Sequence, residues 1–127
     1  MHENEITYLI RQSAYNVHVA LGPGLLESAY EAALMHELRS VGLRVQNQVG
    51  LPMNYGGIKL DVGYRIDLLV EDKVIVELKA LETLLDVHHM QLVTYLKLSG
   101  CKAGLLINFN VARIKDGMFR KVNGLAE

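Results

Sequence analysis

The sequence predicts an α/β domain in which a mixed sheet is flanked by helices. Two helical patterns precede a group of strand patterns, and a third helical pattern comes before a last buried strand. Glycine-rich turn signals separate these elements, and there is no repeat, linker or low-complexity tract. With 127 residues, half of them hydrophobic, the chain can bury one ordinary core, so we expect residues 1–127 to form a single domain.

The first two helices are predicted from apolar residues at helical spacing. The first covers about residues 5–21 and is stopped by Gly22-Pro23-Gly24. The second covers about residues 25–41, and Gly42 follows it in the position of a C-terminal cap. We therefore expect an additional N-terminal helix before the helix that leads into the sheet.

Three strands are expected after the second helix. Residues 43–53 alternate weakly, which is typical of an outer or edge strand, and Tyr55-Gly56-Gly57 marks the next turn. Residues 58–70 and 74–81 form a predicted hairpin of core strands around Glu71-Asp72-Lys73.

The last part of the chain is predicted to contain a helix and further strands. Residues 85–98 show a helical pattern, and residues 102–109 are apolar enough for a buried strand. Asp116-Gly117 lies between Ala112-Arg113-Ile114 and Met118-Phe119-Arg120, which is a two-residue hairpin signal. We therefore expect the chain to end in an added pair of strands.

Two acids and a lysine interrupt the central hairpin. Strand alternation places Glu77 and Lys79 on one face, and Asp67 on the polar face of the preceding strand. The alternation groups Val74, Val76, Leu78 and Ala80 on the opposite face of the second strand, and Val62, Tyr64, Ile66, Leu68 and Val70 against Arg65, Asp67 and Leu69 on the first. Because burying an unpaired carboxylate costs several kcal/mol, roughly, a divalent cation is one partner that would hold both acids.

The loop length decides whether the two acids meet. A three-residue loop pairs Val70 with Val74 and places Asp67 directly opposite Glu77. A two-residue loop would place Asp67 opposite Val76, on the wrong face. A metal site therefore requires the three-residue loop or a bulge.

The net charge of −1 conceals an uneven distribution. Residues 97–121 contain Asp116 as their single acid against six basic residues: Lys97, Lys102, Arg113, Lys115, Arg120 and Lys121. A polyanion would be drawn to this basic end while an acidic pocket holds a cation. The alternative, that these are ordinary solvated side chains, is equally consistent with the sequence.

Other features exclude some classes of protein. No apolar run approaches the roughly 20 residues that span a bilayer, and the acidic start Met-His-Glu-Asn-Glu does not resemble a signal peptide, so we expect a cytoplasmic protein. Cys101 has no cysteine partner and is expected to fill the core. His88 and His89 are adjacent on a predicted helix and point in different directions, so we expect neither to bind a metal.

The ordered polar residues carry a family resemblance. Asp67 followed after nine residues by Glu77-Leu78-Lys79 resembles the PD-(D/E)XK nuclease superfamily, although Ile66 stands where the superfamily name has proline. The segment Gly24-Leu25-Leu26-Glu27-Ser28-Ala29-Tyr30 is similar to the signature of the GxxExxY proteins, and Gln91-Leu92-Val93-Thr94-Tyr95 resembles the Gln-x-x-x-Tyr element of the RecB-like branch. The resemblance implies a restriction-endonuclease-like core, αβββαβ, with an extra N-terminal helix and C-terminal hairpin.

The resemblance also implies metal ligands. Asp67, Glu77 and the backbone carbonyl of Leu78 would hold Mg²⁺ or Mn²⁺ together with waters. Glu27 would be a further metal-side carboxylate, whereas its position near the start of a helix alone would favour a helix-dipole acid. The alternative for Asp67 and Glu77 is a set of ion pairs with Arg65 and Lys79.

Three further residues complete the implied site. Lys79 would position the attacking water or neutralise charge in the transition state, because two neighbouring carboxylates oppose its use as a base. Gln91 and Tyr95, four residues apart on one helix face, would contact a phosphate or the waters of the metal. Tyr30 would either hydrogen-bond Glu27 or pack in the core.

These implications define the expected function. The chain is expected to be a Mg²⁺- or Mn²⁺-dependent nuclease that hydrolyses nucleic-acid phosphodiester bonds through a metal-activated water, with DNA favoured over RNA and no membrane partner. The alternative is a nucleic-acid- or protein-binding module that keeps the fold with little or no catalysis. A homodimer or an accessory protein would supply surface that so small a chain lacks.

Overall fold

A mixed five-stranded sheet separates the helices into two groups. The computed structural model describes residues 1–126. The elements are α1 (Glu3–Leu21), α2 (Glu27–Ser40), β1 (Val45–Gly50), β2 (Met53–Tyr55), β3 (Ile58–Leu60), β4 (Arg65–Val70), β5 (Val74–Lys79), α3 (Asp86–Ser99), β6 (Ala103–Asn108), a short 3-10 helix (Ile114–Gly117) and β7 (Met118–Val122). The large sheet has the order β1-β4-β5-β6-β7, and β2 pairs with β3 in a separate ribbon. This arrangement confirms the predicted fold class.

The two faces of the large sheet bury separate hydrophobic cores. The core under α1 and α2 includes Ile6, Ile10, Leu34, Leu38, Val74, Val76 and Leu78. The core under α3 includes Ile75, Leu92, Tyr95, Leu96 and Leu106. The predicted alternation of β5 is therefore confirmed, because its even-numbered residues face α1 and α2 while Ile75 faces α3.

The strand pairings show why the crossover helix lies where it does. The pair β5–β6 is parallel, whereas β1–β4, β4–β5 and β6–β7 are antiparallel. Two parallel neighbours need a long crossover, which α3 supplies across one face of the sheet. In the described residues no helix is long and apolar enough to pass through a lipid bilayer.

The first strand of the predicted hairpin differs from the expectation in two respects. Residues 58–70 are divided into β3 and β4, with Gly63 at φ 82° in the break between them. In addition, Ile66 packs in the α3 core while Leu68 and Val70 pack in the other core, so the predicted single face is wrong at Ile66. At the same level of the sheet, the neighbouring strand β1 departs from regular geometry at Gln48, where φ is 50°.

The predicted C-terminal hairpin is also wrong. A 3-10 helix occupies Ile114–Gly117, and β7 alone pairs with β6. Gly117 is buried, and a Cβ atom at this position would lie 2.3 Å from the carbonyl oxygen of Asn108. The glycine therefore permits a close backbone contact here and does not form the turn of a hairpin.

Candidate metal centre

The β4–β5 hairpin has the three-residue loop that a metal site requires. Val70 pairs with Val74, and regular pairing stops after Leu68 and Val76. The next residues in this register are Asp67 and Glu77, which confirms that the two acids lie opposite each other.

At this point the two carboxylates replace the backbone pairing. The backbone N–H of Asp67 donates to Glu77 Oε2 at 2.8 Å, and the N–H of Leu78 donates to Asp67 Oδ2 at 2.8 Å. Each acid is thus fixed by a backbone donor of the opposite strand. Both side chains are therefore oriented by main-chain hydrogen bonds.

Burial makes the negative charge of this pair costly. Glu77 is only 4% exposed, and burial, with the nearby charge of Asp67, raises its pKa to about 8. Burial also raises the pKa of Asp67, although the hydrogen bond from Leu78 and the charge of Lys79 act in the opposite direction. A cation held by the carboxylates of Asp67 and Glu77 would offset this cost.

The ion-pair alternative does not hold in the structure. The salt bridges of residues 1–126 join Arg44 to Glu71 and Asp72, and Arg113 to Asp116. Neither Asp67 nor Glu77 takes part in one. The Arg65 side chain lies against Gly50 instead, where its Nη1 is 2.6 Å from the position of an added Cβ.

The donor set fits a hard divalent cation. Within residues 1–126, no three His, Cys, Asp or Glu side chains are gathered in a group suited to a metal ion. Two carboxylates, a main-chain carbonyl and waters are the oxygen ligands that Mg²⁺ takes, with one or two acids sufficient. The same set does not suit structural Zn²⁺, which needs four side-chain ligands of the Cys and His type. The residues therefore fit Mg²⁺ or Mn²⁺.

Lys79, Gln91 and Tyr95 line one cavity beside the acids. This cavity has a volume of about 570 Å³ and opens between the end of β5 and α3. Gln91 Nε2 donates to Tyr95 Oη at 3.1 Å, and the Tyr95 pKa is raised by burial and by the charge of Glu77. The phenol therefore stays protonated and can act as a donor. The sequence did not single out Tyr64 as a member of this cavity; its ring centroid lies 5.9 Å from that of Tyr95.

Glu27 begins α2 on the other side of the acids. Its side chain is exposed, and its charge contributes to raising the pKa of both Asp67 and Glu77, so it lies within electrostatic reach. The loop before it is held by Tyr30, whose Oη donates to the carbonyl of Gly22 at 2.6 Å and accepts from the N–H of Leu25 at 3.2 Å. Tyr30 thus packs and anchors this loop and does not bond to Glu27.

Sequence reasoning missed two polar residues next to Asp67. The Glu31 carboxylate accepts hydrogen bonds from Gln48 at 2.8 Å and Asn47 at 3.4 Å. Gln48 Nε2 also lies 3.5 Å from Asp67 Oδ1. Glu31 follows Glu27 by four residues on the same helix face, which is the signal that could have identified it.

The histidines and the cysteine have other contacts. His88 Nδ1 accepts from the backbone N–H of Leu85 at 2.9 Å, and the His89 ring packs edge-on against Phe119 with centroids 4.8 Å apart. Cys101 is half-buried at the border of the α3 core, in agreement with its predicted packing role.

Comparisons with known proteins bear on the family and the fold of this chain. A family model described as the PD-(D/E)XK nuclease superfamily matches residues 4–121. No curated protein matches the chain. A structure described as the crystal structure of SSO0001 shares the fold, with a TM-score of 0.55 and 21% sequence identity over 93% of this chain. The chain spans 64% of the length of that protein chain. From the match over nearly its whole length, the chain belongs to the PD-(D/E)XK nuclease superfamily.

Proposed function

We propose that this chain is a divalent-metal-dependent nuclease that hydrolyses phosphodiester bonds in nucleic acid. Nucleases of its superfamily generally use divalent metal ions. The single observation that carries the proposal is the pair Asp67 and Glu77, each hydrogen-bonded to the backbone of the opposite strand and neither neutralised by an ion pair in the described residues. Ionising both acids at this buried position is costly unless a cation offsets their charge.

The proposed ligands are Asp67, Glu77 and the backbone carbonyl of Leu78, with Glu27 as a further carboxylate. A Mg²⁺ or Mn²⁺ ion held there would supply a Lewis acid and lower the pKa of water. Lys79, in the adjoining cavity, would place a positive charge beside the scissile phosphate and orient the attacking water. Gln91 and Tyr95 would donate hydrogen bonds to phosphate oxygens.

The finer family assignment is part of this proposal. We also propose that the chain belongs with the GxxExxY proteins and the RecB-like branch. The reason is that Glu27, Tyr30, Gln91 and Tyr95 lie around the two acids or hold the elements that do. Tyr30 fixes the loop that starts the helix of Glu27, and Gln91 bonds Tyr95 beside Lys79. Residues 1–127 would act as one nuclease-like domain.

A second cavity offers a surface for the nucleic acid. It has a volume of about 650 Å³ and is lined by Tyr15, Pro23, Arg113 and Lys115, among others. Among residues 1–126 no acidic residue lines it, and Tyr15 is 56% exposed. An exposed aromatic ring beside basic side chains suits a base and its phosphates. We favour DNA over RNA as the substrate, with a second copy or an accessory protein extending this surface.

The test is cleavage of labelled single- and double-stranded DNA and RNA with Mg²⁺, Mn²⁺ or EDTA. Asp67→Asn and Lys79→Ala should each lower the cleavage rate at least 100-fold, because one removes a charged ligand and the other the positive charge at the phosphate. An asparagine oxygen can still accept the bond from Leu78, so Asp67→Asn should remain folded.

The matched control is Asp61→Asn. Asp61 is exposed and also accepts a backbone hydrogen bond, from Gly63 at 3.1 Å. This variant should cleave at the wild-type rate. Cleavage that survives both Asp67→Asn and Lys79→Ala would reject the nuclease site. Tight metal-independent binding without cleavage would instead support a binding module with the nuclease fold.

A further inference from the structure

Gln48 is the residue at which β1 departs from regular strand geometry. Its φ is 50°, in the left-handed region that a glutamine rarely adopts. The pairing of β1 with β4 skips this position: Asn47 pairs with Leu68 and Val49 with Ile66. Gln48 therefore lies directly opposite Asp67 without a regular backbone pairing. A non-glycine residue in this conformation costs about 1–3 kcal/mol.

The side chain of Gln48 lies between two carboxylates. Its Nε2 donates to Glu31 Oε1 at 2.8 Å and has a longer contact of 3.5 Å with Asp67 Oδ1. In a regular strand Asn47 and Gln48 would point to opposite faces. Because the backbone is irregular here, both side chains reach the Glu31 carboxylate.

This contact gives each carboxylate oxygen of Asp67 a neighbouring donor. Leu78 N–H holds Oδ2 from β5, and the Gln48 amide approaches Oδ1 from β1. The amide is in turn held by Glu31, on the same face of α2 as Glu27. An unbroken chain of side-chain contacts thus joins α2 to Asp67.

We propose that Gln48 is a positioning residue, which fixes the Asp67 carboxylate for metal binding and is itself oriented by Glu31. This inference rests on the proposed function, because it assigns Asp67 as a metal ligand. Replacing a residue that hydrogen-bonds to a metal ligand typically lowers metal affinity by about 10- to 100-fold. The strained backbone at Gln48 is then what allows its amide to contact both Glu31 and Asp67.

A purely structural role for the same backbone is the competing explanation. Val45 packs in the core of α1 and α2, whereas Val49 packs in the α3 core, so the irregularity also redirects β1 between the two cores. Gln48→Gly separates the two roles. Glycine adopts a positive φ without steric cost and keeps the redirected strand, but it removes the amide.

The experiment measures Mn²⁺ affinity by titration calorimetry and thermal unfolding in EDTA for the same purified proteins. We expect Gln48→Gly to unfold at or above the wild-type temperature while its Mn²⁺ dissociation constant rises about 10-fold. Glu31→Ala should weaken Mn²⁺ binding to a similar extent, and the double variant should bind no more weakly than Gln48→Gly alone. Gln46→Gly, an exposed position on the same strand, is the control and should bind like wild type.

The outcomes distinguish this inference from the proposed function. Wild-type Mn²⁺ affinity in Gln48→Gly, with binding lost in Asp67→Asn, would overturn the role of Gln48 and leave the metal site intact. Independent, multiplying effects of Gln48→Gly and Glu31→Ala would overturn the link through Glu31. Absence of Mn²⁺ binding in the wild type would overturn both proposals.

Discussion

Glu77 makes the stability of the metal-free protein depend on pH. Its ordinary pKa is 4.5, and burial beside Asp67 raises it to about 8 in the folded state. Between these values the folded protein holds a proton that the unfolded chain has released. The stabilisation that this proton provides is therefore fully present below pH 4.5 and is lost as pH rises through 8. Between these values the free energy of unfolding falls by on the order of 1 kcal/mol per pH unit.

We predict that the unfolding temperature in EDTA falls between pH 5 and pH 8 for the wild type and falls much less for Glu77→Gln. The glutamine oxygen can still accept the bond from Asp67 N–H, and it carries no charge at any pH. Thermal denaturation at one-unit pH steps measures the difference. Because Mn²⁺ favours the ionised acids, its addition at pH 8 should raise the unfolding temperature of the wild type alone. Parallel pH profiles for the two proteins would contradict this prediction.

At the candidate site, some residue contacts could be predicted from the sequence and others could not. Strand alternation and loop length were enough to predict that Asp67 and Glu77 meet, because both depend on neighbours close in sequence. The contacts of Gln48 could not be predicted in this way. Glutamine has no preference for positive φ, and its two acidic partners come from α2 and β4, so only the packed structure brings them together.

At the level of the elements, a buried tyrosine fixes the start of α2. The Tyr30 ring stacks on Phe109 with centroids 4.4 Å apart, and its hydroxyl bridges Gly22 and Leu25 in the preceding loop. The loop contains Gly22 and Gly24, both with positive φ. The position of Glu27 relative to the acids therefore depends on this hydroxyl.

We predict that Tyr30→Phe lowers the free energy of unfolding by about 1–3 kcal/mol, since it leaves the backbone groups of Gly22 and Leu25 without their partner. Urea denaturation monitored by circular dichroism provides the measurement. Tyr15→Phe is the matched control because Tyr15 is 56% exposed, and its stability should stay within about 0.5 kcal/mol of wild type. Equal stabilities of the two variants would show that the hydroxyl does not anchor the loop.

The predicted elements were most accurate where the hydrophobic pattern is long and regular. All three helices begin and end within two residues of their predicted bounds, and the predicted buried strand is β6. The C-terminal hairpin failed because Asp116-Gly117 has the composition of a tight turn, whereas Gly117 meets the backbone of Asn108. A short sequence cannot reveal whether its glycine serves a turn or a contact with a distant strand.

At the scale of the whole molecule, acidic and basic groups lie at the same end of the sheet, where β5 and β6 terminate. Lys79 ends β5 beside Asn108, and the chain continues from Asn108 into the loop that contains Arg113 and Lys115. The cavity of these basic residues also includes Gly22 and Pro23, which lead toward Glu27. Under the proposed function, we predict that a nucleic-acid strand bound at Lys79 also contacts this cavity.

The double variant Arg113→Ala, Lys115→Ala tests this path. Arg113 pairs with Asp116 at 3.7 Å, but both side chains are 64% exposed, so a phosphate can replace this weak partner. We predict that the double variant binds a labelled oligonucleotide more weakly in EDTA, and that its salt dependence becomes shallower by about one per lost phosphate contact.

The control for this test is Arg44→Ala, Lys73→Ala, which removes the same charge near the β4–β5 loop at the opposite end of β5. Fluorescence anisotropy across a salt series compares the two double variants. A general attraction to positive charge would weaken both equally and give them the same salt slope, because screening does not depend on where the charge was lost. If the strand instead follows a defined path from the candidate metal centre along the cavity, only the variant that lacks Arg113 and Lys115 should bind the oligonucleotide more weakly. These are the two basic residues that a strand on this path would reach.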